Sequence, residues 1–313
     1  MKNKCLYCYQ ELETEAHYHE KCSLQFFGTK EAPVIPYTLD EMSEMAKNVV
    51  ERSITVPGVQ PKLSLSLIKE TQSKNNRLTV VGALGGQYIF KPPTKDYPEL
   101  PQNEHTTMRM AEAFGIRTVD SSLIRLKSGE LGYITKRIDR LPSGEKIHMM
   151  DMLQILESFD KYRGGSMEKI GKALNIYSAN PLLDKVFYFD LALFSFITGN
   201  TDMHLKNFSM IESKLGWALS PAYDLLNVNI ANPDDQEEMA LSLDGKKNRM
   251  KKENFEHFGA TIGLNSKQIK LAFTRITDFQ KETYVWIDKS FLSVKMKELY
   301  KDLIDERYSR LQF

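Results

Sequence analysis

From Leu63 to Leu67 apolar and polar residues alternate with period two, which predicts a half-buried strand. Arg77 to Val81 and Gln87 to Lys91 read as further strands joined by the glycine turn Gly82 to Gly86. Two more, Val119 to Leu126 and Leu131 to Arg137, flank the turn Ser128-Gly129. A helical period runs from Asn103 to Phe114 and stops at Gly115. Another precedes the strands at Leu39 to Arg52, with Asp40 near its start and Met42, Met45, Ala46 and Val49 on one face. Beyond Gly144 the pattern turns helical: Met149 to Glu157, Met167 to Leu174, Leu182 to Ile197, then periodic segments after Asn265. The expected class is α+β, with a small N-terminal unit over 1–30, a sheet-rich N-lobe over 31–140 and a helical C-lobe over 141–313.

The first unit rests on cysteine spacing. Cys5, Cys8 and Cys22 are the only cysteines, and with His19 they read C-x2-C-x10-H-x2-C. An odd count argues against a disulfide framework. Each x2 pair can set two ligands on one tight knuckle, and Cys3His is a tetrahedral zinc set with no open position, hence structural. His17 offers an alternative imidazole to His19.

With 42% hydrophobic residues the chain has enough apolar material for a full core. A net charge of +1, from 42 basic and 41 acidic residues, gives no global reason to bind nucleic acid or an anionic membrane. The basic run Lys246 to Lys252 reads as a solvated loop or helix face. The N-terminus lacks an apolar signal core, and the longest apolar stretch carries Asp190 and falls short of a membrane span. A soluble, cytoplasmic protein is expected.

The candidate chemistry sits behind that apolar stretch. After Val186 to Thr198 and the turn Gly199-Asn200-Thr201 comes Asp202-Met203-His204-Leu205-Lys206-Asn207, and seventeen residues past Asn207 a second acid, Asp224, follows. An acid, a positive charge and an amide at D-x-H-x-K-N spacing, answered by a later acid, suit magnesium-dependent phosphoryl transfer. Asp202 would orient and deprotonate a hydroxyl, and Asn207 and Asp224 would hold the metal on the nucleotide phosphates. A polar helix end with an Asn turn would give similar residues. Lys91, leaving a strand before Pro92-Pro93, is placed to meet phosphates as a point charge, and Glu104 in the next helix is its candidate partner. Pro57-Gly58-Val59-Gln60-Pro61-Lys62 stands where a phosphate-covering loop would, and Lys136-Arg137-Ile138-Asp139-Arg140 could hinge over an adenine through its backbone.

In this order the motifs resemble the HipA family of bacterial toxin serine/threonine kinases. The likeness runs through Ser53-Ile54-Thr55, Gly58 to Leu65, Tyr88 to Pro92, Asn103-Glu104, Lys136 to Arg140, Asp151 to Gln154, Gly199 to Phe208 and Leu219 to Asp224. It implies a two-lobed protein-kinase-like fold that uses ATP and magnesium. Asp202 matches the catalytic base, with His204 and Lys206 in the catalytic loop and Lys206 helping to neutralise the transferred group. Asn207 and Asp224 match the magnesium ligands; Lys91 matches the phosphate lysine, with Gly58, Val59 and Gln60 in the phosphate loop. Arg137, Ile138 and Asp139 match the adenine hinge. Ser53 and Thr55 occupy the place of regulatory serines that autophosphorylate and switch the enzyme off, displaced by the inserted Val56-Pro57.

The chain lacks the sheet-rich N-terminal subdomain of longer members and so resembles the short, HipT-like form. The resemblance implies a helix-turn-helix antitoxin partner, a separate small protein standing in for the missing subdomain, an aminoacyl-tRNA synthetase as substrate, and DNA met only through the antitoxin. Two competing readings are a catalytically silent kinase-fold module that completes a DNA-bound repressor complex, and a metal phosphohydrolase built on the same Asp, His and Asn. Intact Lys91, Asp202, Asn207 and Asp224 weigh against the first, and the strand lysine and hinge, idle in a hydrolase, against the second.

Overall fold

The computed structural model describes residues 3–52, 62–68, 76–81, 85–141, 143–234 and 237–311. Ser53, Thr55, Gly58, Val59 and Gln60, expected to carry the modification and the phosphate loop, lie outside the described residues. The chain divides into two compact units, one of Met1–His105, Val119–Lys146 and Lys289–Phe291, the other of Thr106–Thr118, Ile147–Asp288 and Leu292–Phe313.

The first unit opens with a Cys/His knuckle and α1 (Glu20–Phe27), then α2 (Leu39–Arg52). Strands β1 (Leu63–Ile68), β2 (Arg77–Val81) and β3 (Tyr88–Lys91) lead to α3 (Leu100–Phe114), of which the residues up to His105 belong to this unit, and β4 (Ser121–Arg125) and β5 (Leu131–Lys136) follow. The five strands form an antiparallel sheet in the order β2-β1-β3-β5-β4. The period-two pattern decides which face is covered: Leu63 and Leu65 are buried while Ser64 and Ser66 are half-buried. Gly132 on β5 is needed for close packing, because a Cβ there would stand 2.3 Å from the Phe90 ring of β3. Register places Lys91 opposite Tyr133. Helix α3 starts three residues before the expected Asn103 and ends at Gly115, whose φ of 99° permits the stop.

In the second unit the expected helix over Met149 to Glu157 is corrected. Met149–Asp151 is a strand, β6, and only Met152–Ile155 is helical, as α4. The Met149–Asp151 backbone pairs with Ser209–Ile211, and Asp151 caps α4 through a reciprocal bond pair with Gln154. Then come α5 (Met167–Tyr177), α6 (Pro181–Ile197), a 3-10 turn (Leu205–Asn207), β7 (Ser209–Ser213) and β8 (Gly216–Leu219). Strands β6, β7 and β8 form a small antiparallel sheet that the helical reading of this region did not anticipate. The remainder is α7 (Val228–Ala231), α8 (Lys252–Thr261), α9 (Ser266–Asp278), α10 (Gln280–Lys289) and α11 (Val294–Arg310).

Helix α6 is capped by Asn180, carries Pro181 in its first turn and is buried nearly all round, as an apolar run of that length requires. Its two buried acids are bonded. Asp190 accepts on both oxygens from one Arg275 nitrogen, Nη2, at 2.6 and 2.7 Å, and Asp184 accepts from Ser178 and from the Leu219 N–H, both at 2.7 Å. Among the described residues, no helix is long and apolar enough to cross a membrane.

Candidate functional site

In the knuckle, the Cys5 and Cys8 thiols, His19 Nδ1 and the Cys22 thiol bring one ligand atom each to within 4.8 Å of one another. His19, not His17, supplies the imidazole: its Nδ1 lies 3.5 Å from Cys8 Sγ and 3.8 Å from Cys22 Sγ. A tetrahedral zinc ion with ordinary bond lengths would set sulfur and nitrogen about 3.6 Å apart, so the donor set fits. His19 Nε2 meets the Glu11 carbonyl at 3.0 Å, a bond that fixes the tautomer leaving Nδ1 as the donor atom. Local chain geometry builds the set, with Cys5 and Cys8 in one tight turn, His19 capping α1 and Cys22 in that helix's first turn. The Cys8 thiol hydrogen-bonds Cys5, which draws Cys5 down to about 4 against its burial and holds Cys8 up.

Sheet and helix in the same unit place a second pair. Lys91 Nζ, at the end of β3, lies 2.6 Å from Glu104 Oε1 on α3, with the side chains 3% and 0% exposed. The ammonium also faces the Tyr133 ring, 5.4 Å from its centroid. In the candidate hinge, Arg137 holds Asp139 with two bonds of 2.9 and 2.7 Å, and Arg140 adds a third at 2.5 Å. Burial raises Asp139, but these guanidiniums outweigh it and keep the carboxyl below its usual range. The Arg137 N–H is spent on Gln87 O at 2.9 Å, which ties the hinge to the start of β3.

The second unit carries the polar loop. Gly199 ends α6 with φ 66°, where a Cβ would meet Leu303 at 2.3 Å and the side chain of Asn227 at 2.9 Å. Its carbonyl accepts the Val228 N–H at 2.9 Å, so the turn that delivers Asp202 is pinned from behind. The Asn207 amide nitrogen donates to Asp202 O at 2.8 Å, which leaves Oδ1 as the atom a metal would take. Lys206 is exposed. His204 Nε2 is 4.0 Å from Asp202 Oδ1. Burial lowers its basicity, Asp202 and Asp224 push it up and Lys161 pushes it down; the result lies below the ordinary histidine value. His204 Nδ1 and Asn200 Nδ2 are buried and meet no hydrogen-bond partner among the described residues, an arrangement that suits an incoming polar group. Asp224 holds a φ of 56°, a left-handed conformation that a non-glycine residue adopts under constraint. The constraint is next door: Tyr223 donates to Lys206 O at 2.9 Å and shares a 2.5 Å bond with Ser209. That pair ties the Asp224 segment to the loop of Asn207.

The sequence pattern does not single out Tyr162, and it places Tyr223 in the Leu219 to Asp224 motif without giving it a role. The Tyr162 hydroxyl donates to Asp202 Oδ1 at 2.8 Å, and its ring stands edge-on to His204. The one local signal was Gly164-Gly165, a turn that lets the segment return to the loop, where the Leu205 N–H meets Lys161 O at 3.1 Å.

A family model described as HipA-like C-terminal domain matches residues 54–283. Over 265 residues the chain is 26% identical to a Haemophilus influenzae protein named "Putative kinase", covering 76% of this chain and 75% of that one. It is 31% identical to the Sinorhizobium fredii kinase-named protein Y4dM over 69% of this chain and 55% of that one. A Shewanella oneidensis protein named serine/threonine-protein kinase toxin HipA is 26% identical over 61% of this chain and 47% of that one. The chain thus spans about half the length of the last two. Among solved structures, Shewanella oneidensis MR-1 HipA, determined with HipB and operator DNA, matches with a TM-score of 0.71 at 23% identity, over 90% of this chain and 72% of that one. The Helicobacter pylori proinflammatory kinase CtkA matches with a TM-score of 0.53 at 18% identity, over 72% of this chain and 87% of that one. These likenesses establish a shared α+β fold.

Proposed function

The chain belongs to the HipA-like C-terminal domain family, and on that premise we propose that it is an ATP- and magnesium-dependent serine/threonine protein kinase acting as the toxin of a type II toxin–antitoxin system. Asp202 takes the proton of the substrate hydroxyl as its oxygen bonds to the γ-phosphorus, the bond to the bridging oxygen breaks, and ADP leaves. Lys91, held by Glu104, meets the nucleotide phosphates; Lys206 offsets charge on the transferred group; the Arg137–Asp139 segment meets the adenine. Asn207 and Asp224 would hold magnesium, which would supply charge neutralisation to the phosphates. His204, whose basicity burial lowers, lines the loop. Gly58, Val59 and Gln60 cover the phosphates, and Ser53 or Thr55 receives a regulatory phosphate.

The observation that carries this reading is the buried Lys91–Glu104 pair. Removing two charges from water is a poor way to gain stability, so such a pair is better understood as fixing a lysine for an anionic ligand. The Cys5, Cys8, His19 and Cys22 set holds structural zinc in this account. Partners are a helix-turn-helix antitoxin, through which DNA is met, and a separate small protein that resembles the N-terminal subdomain of longer members. The substrate is an aminoacyl-tRNA synthetase, and the site of action is the cytoplasm. The deciding experiment is intact mass with phosphopeptide mapping of wild type and Asp202→Gln after incubation with magnesium and ATP, alone and with candidate synthetases. Phosphate on Ser53, Thr55 or a synthetase with wild type only is expected. No transfer under any condition, with nucleotide still bound, would favour the silent module.

A further inference from the structure

Tyr9 follows the ligand Cys8 directly and holds a φ of 63°, a conformation foreign to a bulky side chain. The ligand turn imposes it: the Tyr9 N–H donates to Cys5 O and the Cys5 N–H to Gln10 O, both at 2.9 Å. So aimed, the Tyr9 side chain leaves the knuckle and is 2% exposed. Its hydroxyl lies 2.8 Å from His105 Nδ1, and its ring meets His105 and Phe291 edge-on. His105 is the immediate neighbour of Glu104 on α3, and its ring stands 6.4 Å from that of Tyr133, which faces the Lys91 ammonium. Other bonds seat the knuckle on the same sheet: the Leu123 N–H donates to Leu6 O at 3.2 Å, and the Tyr18 hydroxyl donates to Leu123 O.

We propose that Tyr9 and His105 are positioning residues through which the metal-bound knuckle holds Glu104 against Lys91. A metal across Cys5 and Cys8 locks the turn that keeps Tyr9 in its left-handed conformation. When the metal is lost the turn relaxes, Tyr9 leaves His105, and the segment of α3 carrying Glu104 loses its brace. The consequence for catalysis rests on the kinase reading; the coupling of knuckle to ion pair does not.

The test is therefore one that needs no activity. Zinc-loaded wild type is pulsed with an amine-acylating reagent, and modification of Lys91 is read by peptide mass against exposed Lys214 as internal standard. Tyr9→Phe keeps the ring and every ligand and removes only the hydroxyl. It is expected to bind one zinc ion per chain and to raise Lys91 acylation about fivefold, the size one buried hydrogen bond commands. His105→Leu should behave alike, whereas His105→Asn, which returns a polar group at the Nδ1 position, should restore protection. Zinc removal by a chelator should expose Lys91 in wild type. Unchanged Lys91 protection in zinc-loaded Tyr9→Phe and in His105→Leu, or a Lys91 in wild type as reactive as Lys214, would overturn the proposal. Phosphoryl transfer measured in parallel separates the two readings. Loss of transfer in wild type with the labelling pattern intact refutes the kinase and leaves the coupling; equal transfer and equal labelling in wild type and Tyr9→Phe refute the coupling alone.

Discussion

Tyr162 donates its phenolic proton to Oδ1 of Asp202 at 2.8 Å, across forty residues of sequence. One oxygen of the carboxylate is thereby fixed; in the proposed kinase reading the other would meet the substrate hydroxyl. Tyr162→Phe removes the fixing bond while keeping the ring beside His204. A hydrogen bond to a charged group is worth about 2 kcal/mol, so kcat is expected to fall about thirtyfold with KM for ATP little changed. Steady-state kinetics decide it; a rise in kcat would mean that Tyr162 covers the base instead.

Lys91 and Glu104 make a second prediction through their burial. Lys91→Met leaves a carboxylate with no ammonium in a dry site and should cost about 3 to 5 kcal/mol of stability, read by denaturant unfolding. Adding Glu104→Gln removes the stranded charge and should recover most of that loss. Phosphoryl transfer should stay absent in both. Recovery of activity along with stability would show that the pair is structural only.

Zinc removal should loosen the first unit. Cys22→Ser breaks a set whose four donor atoms lie within 4.8 Å of each other, and structural zinc sites contribute directly to folding. Wild type should carry one zinc ion per chain by elemental analysis and lose several degrees of Tm on chelation. Cys22→Ser should start at the lower Tm and ignore the chelator, and His17→Ala should behave as wild type.

A pH dependence follows from His204. Its folded pKa is lowered from 6.5, chiefly by burial, with Lys161 adding to that and Asp202 and Asp224 opposing it. A depressed value means the unfolded chain binds the proton more readily. The contribution to stability is thus complete above the unfolded value and is lost as pH falls through the folded one. Between about pH 8 and pH 5, His204→Asn should flatten the acid side of the Tm profile relative to wild type. Parallel profiles would remove His204 as the responsible group.

What the chain disclosed of itself depended on how far apart the interacting residues lie. Leu39–Arg52 and Pro181–Ile197 were legible because a helix is a local pattern with local caps. Met149–Asp151 was misread because its partners, Ser209–Ile211, lie far along the chain and three residues show no period. The candidate chemistry behaves likewise. Asp202, His204, Lys206 and Asn207 sit within six residues and could be read as a group. Tyr162, Tyr223 and Tyr9 act through partners forty, seventeen and ninety-six residues away, and no local pattern states their roles. Cys5, Cys8, His19 and Cys22 were legible because pairs spaced by two residues state their own geometry.

The turn at Gly199 depends on residues made long after it. Its backbone is packed by Leu303 of α11, and its carbonyl is bonded by Val228. A ribosome delivers Asp202 and Asn207 well before it delivers Leu303, so the growing chain carries the acid and the amide of the loop without the helix that backs their turn. The turn is therefore completed late in translation, and a transcript cut short between the two yields a polypeptide with the loop's residues in place and the support for its turn missing.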